Sequence, residues 1–375
     1  VKLTKLFLAL NILLALGLVG SFLAIRVSPD SIWFFAFLGL SFPFLLIGNL
    51  VFLLFWFFVR KKYLFLSLIA IIINLGTFNN YFNLSAKGSV LNNGNEEIKI
   101  MSYNVRLFDL YNWTENKKTR NNIFELLKEQ DAGIYCFQEF FYQDKTKNSF
   151  ETRDTMLLFL KSKNLHEEYS LNLRAGQHFG MATFSKYPII NKGKIIFENS
   201  KSNLCIYSDI KVYEDTIRVY NAHLASIRFN KDDYQFIGDE GNSKQYKNQV
   251  KKGQRIIGRL ASAFKKRVSQ TEKILHHIEE SPYPVIVCGD FNDTPVSYCY
   301  SKFNAELNDA FKGSGNGIGN TYVGKLPPLL RIDYIFHSDD LHSFGYKRIN
   351  EKLSDHYPIT CKLQVRSGKE KMLEK

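Results

Sequence analysis

The chain has 375 residues and a formal net charge of +13, enough length for two or three domains or one large α/β domain. Its five cysteines are odd in number and include no C-x-x-C pair, so a disulfide framework, a zinc ribbon and thioredoxin chemistry all lack support. The composition is uneven: residues 3–82 are almost wholly apolar, and the remainder reads as an ordinary soluble protein.

Three apolar runs open the chain, about Leu3–Ile25, Ile32–Val59 and Tyr63–Tyr81. Each has the ~20 residues needed to cross a hydrocarbon core, so three transmembrane helices are expected over 1–82. A cleaved signal peptide would fit only the first run, which is too long and has no clear small-x-small cleavage site. Lys2, Lys5 and the Arg60–Lys62 loop carry the flanking positive charge, whereas the loop between the first two runs has only Arg26, offset by Asp30. Positive-inside bias then places the N-terminus and Arg60–Lys62 in the cytoplasm and everything after Phe82 on the far side. Asn11, Asn49 and Asn74, one in each run, are candidates for hydrogen bonds between helices, with singly tolerated amides an equal alternative.

Residues 83–97 are rich in Asn, Gly and Ser and read as a linker. Beyond it, short β-rich runs recur at Ile98–Val105, Ile134–Phe137, Met181–Phe184, Leu204–Val212, Thr216–His223, Pro284–Cys288, Ile332–Phe336 and Thr360–Val365. Helical patterns occupy Thr119–Gln130 and roughly Asn248–Glu280. Many strands lie too close together for a crossover helix, which predicts mixed, largely antiparallel sheets covered by helices. No dinucleotide or P-loop signature follows a strand. Residues 244–273 hold ten Lys or Arg against one acid, Glu272. Such a segment is either a solvated helix face or a surface that attracts phosphates, of nucleic acid or of anionic lipid. Residues 367–375 form a charged tail.

Six of the strand-like runs end in groups able to hold a metal or a phosphate. These are Asn104, then Gln138 with Glu139, Asn221 with His223, Asp290 with Asn292, Asp333, and the Ser354–Asp355–His356 triplet. Gathered at one rim, they would make an oxygen-rich, thiol-free pocket suited to Mg²⁺ or Mn²⁺. One such strand end is unremarkable, because Asp, Asn and Gly are ordinary turn residues.

In this order, "SYN", "CFQE", "NAHL", "GDFND", "IDYI" and "SDHYPI" resemble the endonuclease/exonuclease/phosphatase superfamily of deoxyribonuclease-I-like phosphoesterases. "GMATFSKYPI" (residues 180–189) is similar to the strand preceding that family's second half. The resemblance covers about residues 98–366 and implies a two-sheet α/β sandwich as the catalytic domain, here in a membrane-anchored bacterial form. It implies Glu139, Asn104 and Asp355 at a Mg²⁺ or Mn²⁺ ion, and Asp290 handling the attacking water with Asn292 on the phosphate. His356, His223 and Asp333 would complete the catalytic set, Asp333 taking the Nδ1 proton of His356. Arg106, Asn221 and His178 are the substrate-binding candidates. Arg106 and His223 stand where apurinic-site enzymes carry Asp and Tyr, which moves the chain away from base-excision repair. The implied substrate is a phosphoester, nucleic acid or phospholipid headgroup, and the implied setting a multi-pass protein of the bacterial cell membrane with its catalytic domain outside the cytoplasm. No protein partner is expected.

Overall fold

A computed structural model describes residues 2–83, 96–145, 152–174, 176–198, 200, 202–227, 246–324 and 329–366. Most of the expected linker and the charged tail lie outside these residues. The chain forms two compact units, one of Val1–Tyr81, Ala225–Thr271 and Asp293–Lys302, the other of Phe82–Leu224, Glu272–Asn292 and Phe303–Lys375.

The first unit contains helices α1 (Lys2–Ala24), α2 (Pro29–Leu40), α3 (Phe42–Val59) and α4 (Leu64–Ile73). Of the three long spans expected, two helices among the described residues, α1 and α3, have the length and hydropathy to cross a bilayer. The second run breaks at Ser41 because Pro43 lacks an N–H and is tolerated only in the first turn of a new helix. The third breaks at Asn74, before a short helical turn at Leu75–Phe78. Only 28% of each long apolar window is buried, so neither α1 nor α3 is enclosed as a soluble core helix would be. Leu6, Leu13, Leu16, Leu54 and Phe58 face outward.

The three asparagines tie these helices together. Asn11 Nδ2 donates to Ser67 Oγ at 2.7 Å, and its Oδ1 accepts from Trp56 Nε1 at 2.9 Å. Asn49 Nδ2 donates to the Leu14 carbonyl at 3.0 Å, and Asn74 Nδ2 to that of Leu18 at 3.0 Å. The pairings 11 with 67 and 18 with 74 run α4 parallel to α1, while 14 with 49 and 11 with 56 run α3 antiparallel to it. At Gly48 a Cβ would lie 3.0 Å from Leu14 Cδ1, so α1 and α3 approach closely there. The segment Asp293–Lys302 belongs to the same unit. Val296 is fully buried among Ala15, Leu18, Phe42, Ala70 and Tyr81, and Ser301 Oγ donates to the Ile25 carbonyl at 2.7 Å.

The second unit is a sandwich of two six-stranded sheets. In chain order its strands are β1 (Ile98–Asn104), β2 (Ile134–Gln143), β3 (Asn164–Leu173), β4 (Gln177–Ser185), β5 (Ile189–Ile196), β6 (Leu204–Val212), β7 (Asp215–His223), β8 (Val285–Asp290), β9 (Asn308–Asp309), β10 (Asp333–His337), β11 (Leu341–Arg348) and β12 (Ile359–Val365). One sheet has the order β11-β12-β1-β2-β4-β3 and the other β9-β10-β8-β7-β6-β5. Each has one parallel pair, β1 with β2 and β7 with β8, and the other pairings are antiparallel. β-branched residues from both inner faces, including Ile100, Ile134, Val219, Ile286, Ile335 and Ile359, form the core between the sheets. The helix Thr119–Gln130 covers the outer face of the first sheet through Ile123, Phe124 and Leu127. All five cysteines are free and buried, which leaves no surface disulfide.

Arg331 and Asp309 form a fully enclosed bidentate pair, Nη1 to Oδ2 at 2.7 Å and Nη2 to Oδ1 at 2.6 Å. Asp309 also caps the helix Ala310–Ser314 by accepting from the Phe311 N–H. Removing the carboxylate breaks a buried ion pair, so Asp309→Ala should lower the unfolding free energy by about 3–5 kcal/mol. Denaturant unfolding of the sandwich, followed by circular dichroism, checks this; a loss within ~0.5 kcal/mol would contradict the role.

Candidate functional site

The site lies where the parallel pairs of both sheets end. Register places Asn104 opposite Gln138 in one sheet, and His223, Asp290 and Asp333 in a single row across the other. The carboxyl ends of parallel strands are where open α/β sheets hold ligands, because backbone and side chains there leave the hydrogen-bonded ladder together. Gly289 permits the close pairing just before Asp290: a Cβ there would sit 1.9 Å from the Ala222 carbonyl oxygen, and its φ is +144°.

Two amides cross from one sheet to the other. Asn104 Nδ2 donates to Asp290 Oδ2 at 2.9 Å, and Gln138 Nε2 to Asn221 Oδ1 at 2.7 Å. Asp290 Oδ1 accepts from the Asn292 N–H at 2.9 Å, so both of its oxygens are oriented. Asn292 has φ +53° and donates its side-chain amide to the Leu224 carbonyl. Asp333 takes Nδ1 of His356 at 2.9 Å and 3.1 Å, and Nε2 of both His356 and His223 stands 3.7 Å from Asp290 Oδ2. Nε2 of His223 is buried and has no hydrogen-bond partner among the described residues. Ser354 Oγ donates to the Asn104 carbonyl at 2.8 Å, which fastens the His356 loop to β1.

Glu139 reaches this group through a β-bulge. The β2–β4 register shifts between Phe137 and Phe140, and Glu139 takes φ +50°. Without the bulge its side chain would share a face with Phe137 and Phe141, in the apolar layer beneath the covering helix. A left-handed conformation at a non-glycine residue costs of order 1–3 kcal/mol, and such strain concentrates at functional sites. Among the described residues Glu139 has no hydrogen-bond or ion-pair partner, and its electrostatic neighbours are His223, Asp355, His356 and Asp290.

Burial raises the carboxyl pKa of Glu139, with Asp355 and Asp290 adding to the shift and His223 and His356 opposing it. Burial likewise raises that of Asp290, with Asp333 adding and His356, His223 and Asn104 opposing. At His356 burial disfavours the charged ring, but Asp333, Asp290 and Asp355 outweigh it and lift the pKa well above the ordinary imidazole value.

Ligand atoms of Asp290, Asp333 and His356 lie within 4.8 Å of one another. Asp333 is already committed to His356 Nδ1, so these three read better as an oriented imidazole than as a ligand set. Glu139, without a hydrogen bond or ion pair among the described residues, stands in the same cluster as the oriented Asp290. Oxygen donors, a half-buried carboxylate with no hydrogen bond among the described residues and no thiol fit a hard divalent ion.

The remaining expected residues fall outside this core arrangement. Arg106 Nε pairs with Asp355 at 3.3 Å and stacks over Trp113, so the two charges occupy each other. Asn221 is fully buried and donates to the Phe137 and Ala182 carbonyls, a tie between sheets. His178 bonds Asn172 and Asp144 and stacks on Tyr142, with no contact to the cluster. Asp293 is a turn residue, accepting from the Thr294 N–H, but it also pairs with buried Arg267 at 3.3 Å, which the sequence did not suggest. Tyr322 was also missed: its ring meets that of His356 edge-on at 5.4 Å, and no motif marks it.

The Endonuclease/Exonuclease/phosphatase family profile matches residues 101–356, and that of a Domain of unknown function (DUF8431) matches residues 4–81. No curated protein matches the chain. Among solved structures, an endonuclease/exonuclease/phosphatase from Beutenbergia cavernae superposes with a TM-score of 0.52 at 14% identity, over 72% of each chain. One from Bacteroides vulgatus gives 0.50 at 15% identity, over 72% of this chain and 100% of its own. At such identities the likeness speaks for the fold alone.

Asp333→Asn should lower the His356 pKa in the cation-free protein, read by NMR titration of the ring; an unmoved titration would remove Asp333 from its assigned place. The raised folded-state pKa carries a sign for stability as well. The His356 contribution is fully present below the unfolded value of about 6.5 and is lost as pH rises through the folded value.

Proposed function

The chain belongs to the endonuclease/exonuclease/phosphatase family, and from that premise we propose that it is a membrane-anchored, Mg²⁺- or Mn²⁺-dependent hydrolase of phosphodiester bonds. The observation that carries this reading is the unpartnered Glu139 carboxylate, turned by its bulge toward Asp290, His223 and His356. In-line attack by water on a phosphorus shielded by negative oxygens needs charge neutralised and a water deprotonated. A divalent ion held by Glu139, with Asn104 nearby, would neutralise charge on the phosphate oxygens.

This chain's own residues do the rest. Asp290 is the base: its oxygens are fixed by Asn104 and Asn292, and its burial makes proton acceptance easier. Asp333 fixes the ring of His356 with Nδ1 protonated, leaving a positively charged Nε2 to face the phosphate. Nε2 of His223, without a hydrogen bond among the described residues, offers a second contact, to the phosphate or the leaving group. Asn292 steadies the phosphate and the loop. Asp355 sits beside Arg106 and adjusts the field rather than binding the ion.

For substrate, the positive charge supports a nuclease-like reading, since phosphate backbones are held by Lys and Arg. A second reading, a lipid-headgroup phosphodiesterase, is supported by the apolar helices α1 and α3 that the same chain carries. Support for the anchor comes from α1 and α3, each long and apolar enough to cross a bilayer; a third pass by α4 with its continuation, parallel to α1, would leave the catalytic part outside the cytoplasm. Two passes, by α1 and α3 alone, would leave it inside.

Glu139→Ala and His356→Ala should each cut phosphodiester hydrolysis by about 100-fold or more, and chelation should abolish it. The measurement is turnover of DNA, RNA and phospholipid substrates by the intact chain in Mg²⁺, Mn²⁺ or chelator. Undiminished rates in either variant, or in chelator, would overturn the mechanism. A C-terminal reporter active only outside the cytoplasm should be active here; silence, with a cytoplasmic reporter active, would refute the third pass.

A further inference from the structure

The long helix Tyr246–Glu279 begins in the unit that holds the apolar helices. From Tyr246 to Thr271 it has no acidic residue and eight basic ones. Its apolar stripe, Ile256, Leu260 and Phe264, packs on Ala36 and Leu40 of α2. At 100° per residue, Lys251, Lys252, Lys265 and Lys266 fall within an arc of roughly 140° on the side away from that stripe. Lys251, Lys252 and Lys265 are exposed and Lys266 is half-buried; among the described residues none of the four has a hydrogen-bond or ion-pair partner. Val250 and Ile257 are 42% and 44% exposed beside them.

We propose that this lysine face is a docking surface for anionic lipid headgroups, laid along the bilayer beside α2. The inference rests on the reading that α1 and α3 sit in a bilayer. Three observations favour lipid over nucleic acid. The helix is packed on the apolar segment itself. Large apolar side chains stay exposed on its flank, which an interfacial helix buries at the boundary of headgroups and acyl chains and a phosphate backbone would leave wet. The charge is of one sign over seven turns, the pattern that anionic leaflets attract.

The test uses the intact chain in nanodiscs of phosphatidylcholine, alone or mixed with phosphatidylglycerol. Acetylation rates of individual lysines are read by mass spectrometry, with Lys117, exposed on the other unit, as reference. The expected result is slowing of about fivefold at Lys251, Lys252, Lys265 and Lys266 in anionic discs, the factor corresponding to one lysine's attraction to such a surface. Lys117 should be unaffected, and high salt should abolish the difference. Equal rates in both discs would overturn the proposal. So would protection by an added DNA oligonucleotide in neutral discs with none from anionic lipid, which would make the face a nucleic-acid surface. Alkaline carbonate extraction separates this from failure of the anchor. A chain released by carbonate is not embedded, and the inference falls with the anchor; a retained chain with unprotected lysines overturns the docking surface alone.

Discussion

The amide of Asn104, donating to Asp290 from the opposite sheet, is the contact on which the candidate site depends. It joins the last residue of β1 to the last residue of β8 in a place closed to water, where an unpaired carboxylate oxygen would cost more than a surface one. Gln138 and Asn221 repeat the arrangement one strand over in each sheet. The sandwich is therefore closed at this end by amides rather than by apolar side chains. A hydrophobic closure would hold the sheets together as well, but it could not orient Asp290. Packing and chemistry share the same atoms.

Crowding follows from that arrangement. Asp290 and Asp333 are register neighbours, and Glu139 is turned toward them by a strained bulge, so three carboxyl groups share one buried region with two imidazoles. Proteins relieve such crowding by protonation, by pairing or by a cation. Asp333 is relieved by His356, and Asp290 by Asn104, the Asn292 N–H and nearby rings. Glu139 has no hydrogen bond or ion pair among the described residues, and burial raises its pKa against the opposing influence of His223 and His356.

The order of the motif residues was legible in the sequence because each ends an apolar run, and strand ends are what β-periodicity marks best. The largely antiparallel pairing was legible for a related reason, since strands too closely spaced for crossover helices must pair antiparallel, whereas the two-sheet sandwich was implied by the resemblance of the motifs. What periodicity could not give was the bulge. A period of two assigns Glu139 to the face of Phe137, and only the register against β4 shows it re-aimed. Nor could it separate Asn221 from Asn104: both are amides at strand ends, and one is spent holding sheets while the other holds a carboxylate. Strands such as Asn164–Leu173 and Leu341–Arg348 escaped notice because their polar, Glu- and Lys-bearing sequences lack the β-branched runs of the core strands.

The apolar segment shows a similar limit. Hydropathy counts residues and not directions, so it drew three spans where backbone chemistry made two long helices and two short ones. Pro43 must begin a helix, and Asn74 prefers to bond the Leu18 carbonyl and its own helix's Ala70 carbonyl. The same bonds that interrupt the third run also fix its direction. An Asn side chain reaches only a neighbour at its own height, so the pairs 11 with 67 and 18 with 74 force α4 to climb beside α1. A polar residue that shortens a helix thereby sets the order of the bundle, and Val296, enclosed among Leu18, Phe42, Ala70 and Tyr81, shows what the end of that bundle holds. Asn292 keeps a positive φ and is held within its own unit by the bond from its amide to the Leu224 carbonyl.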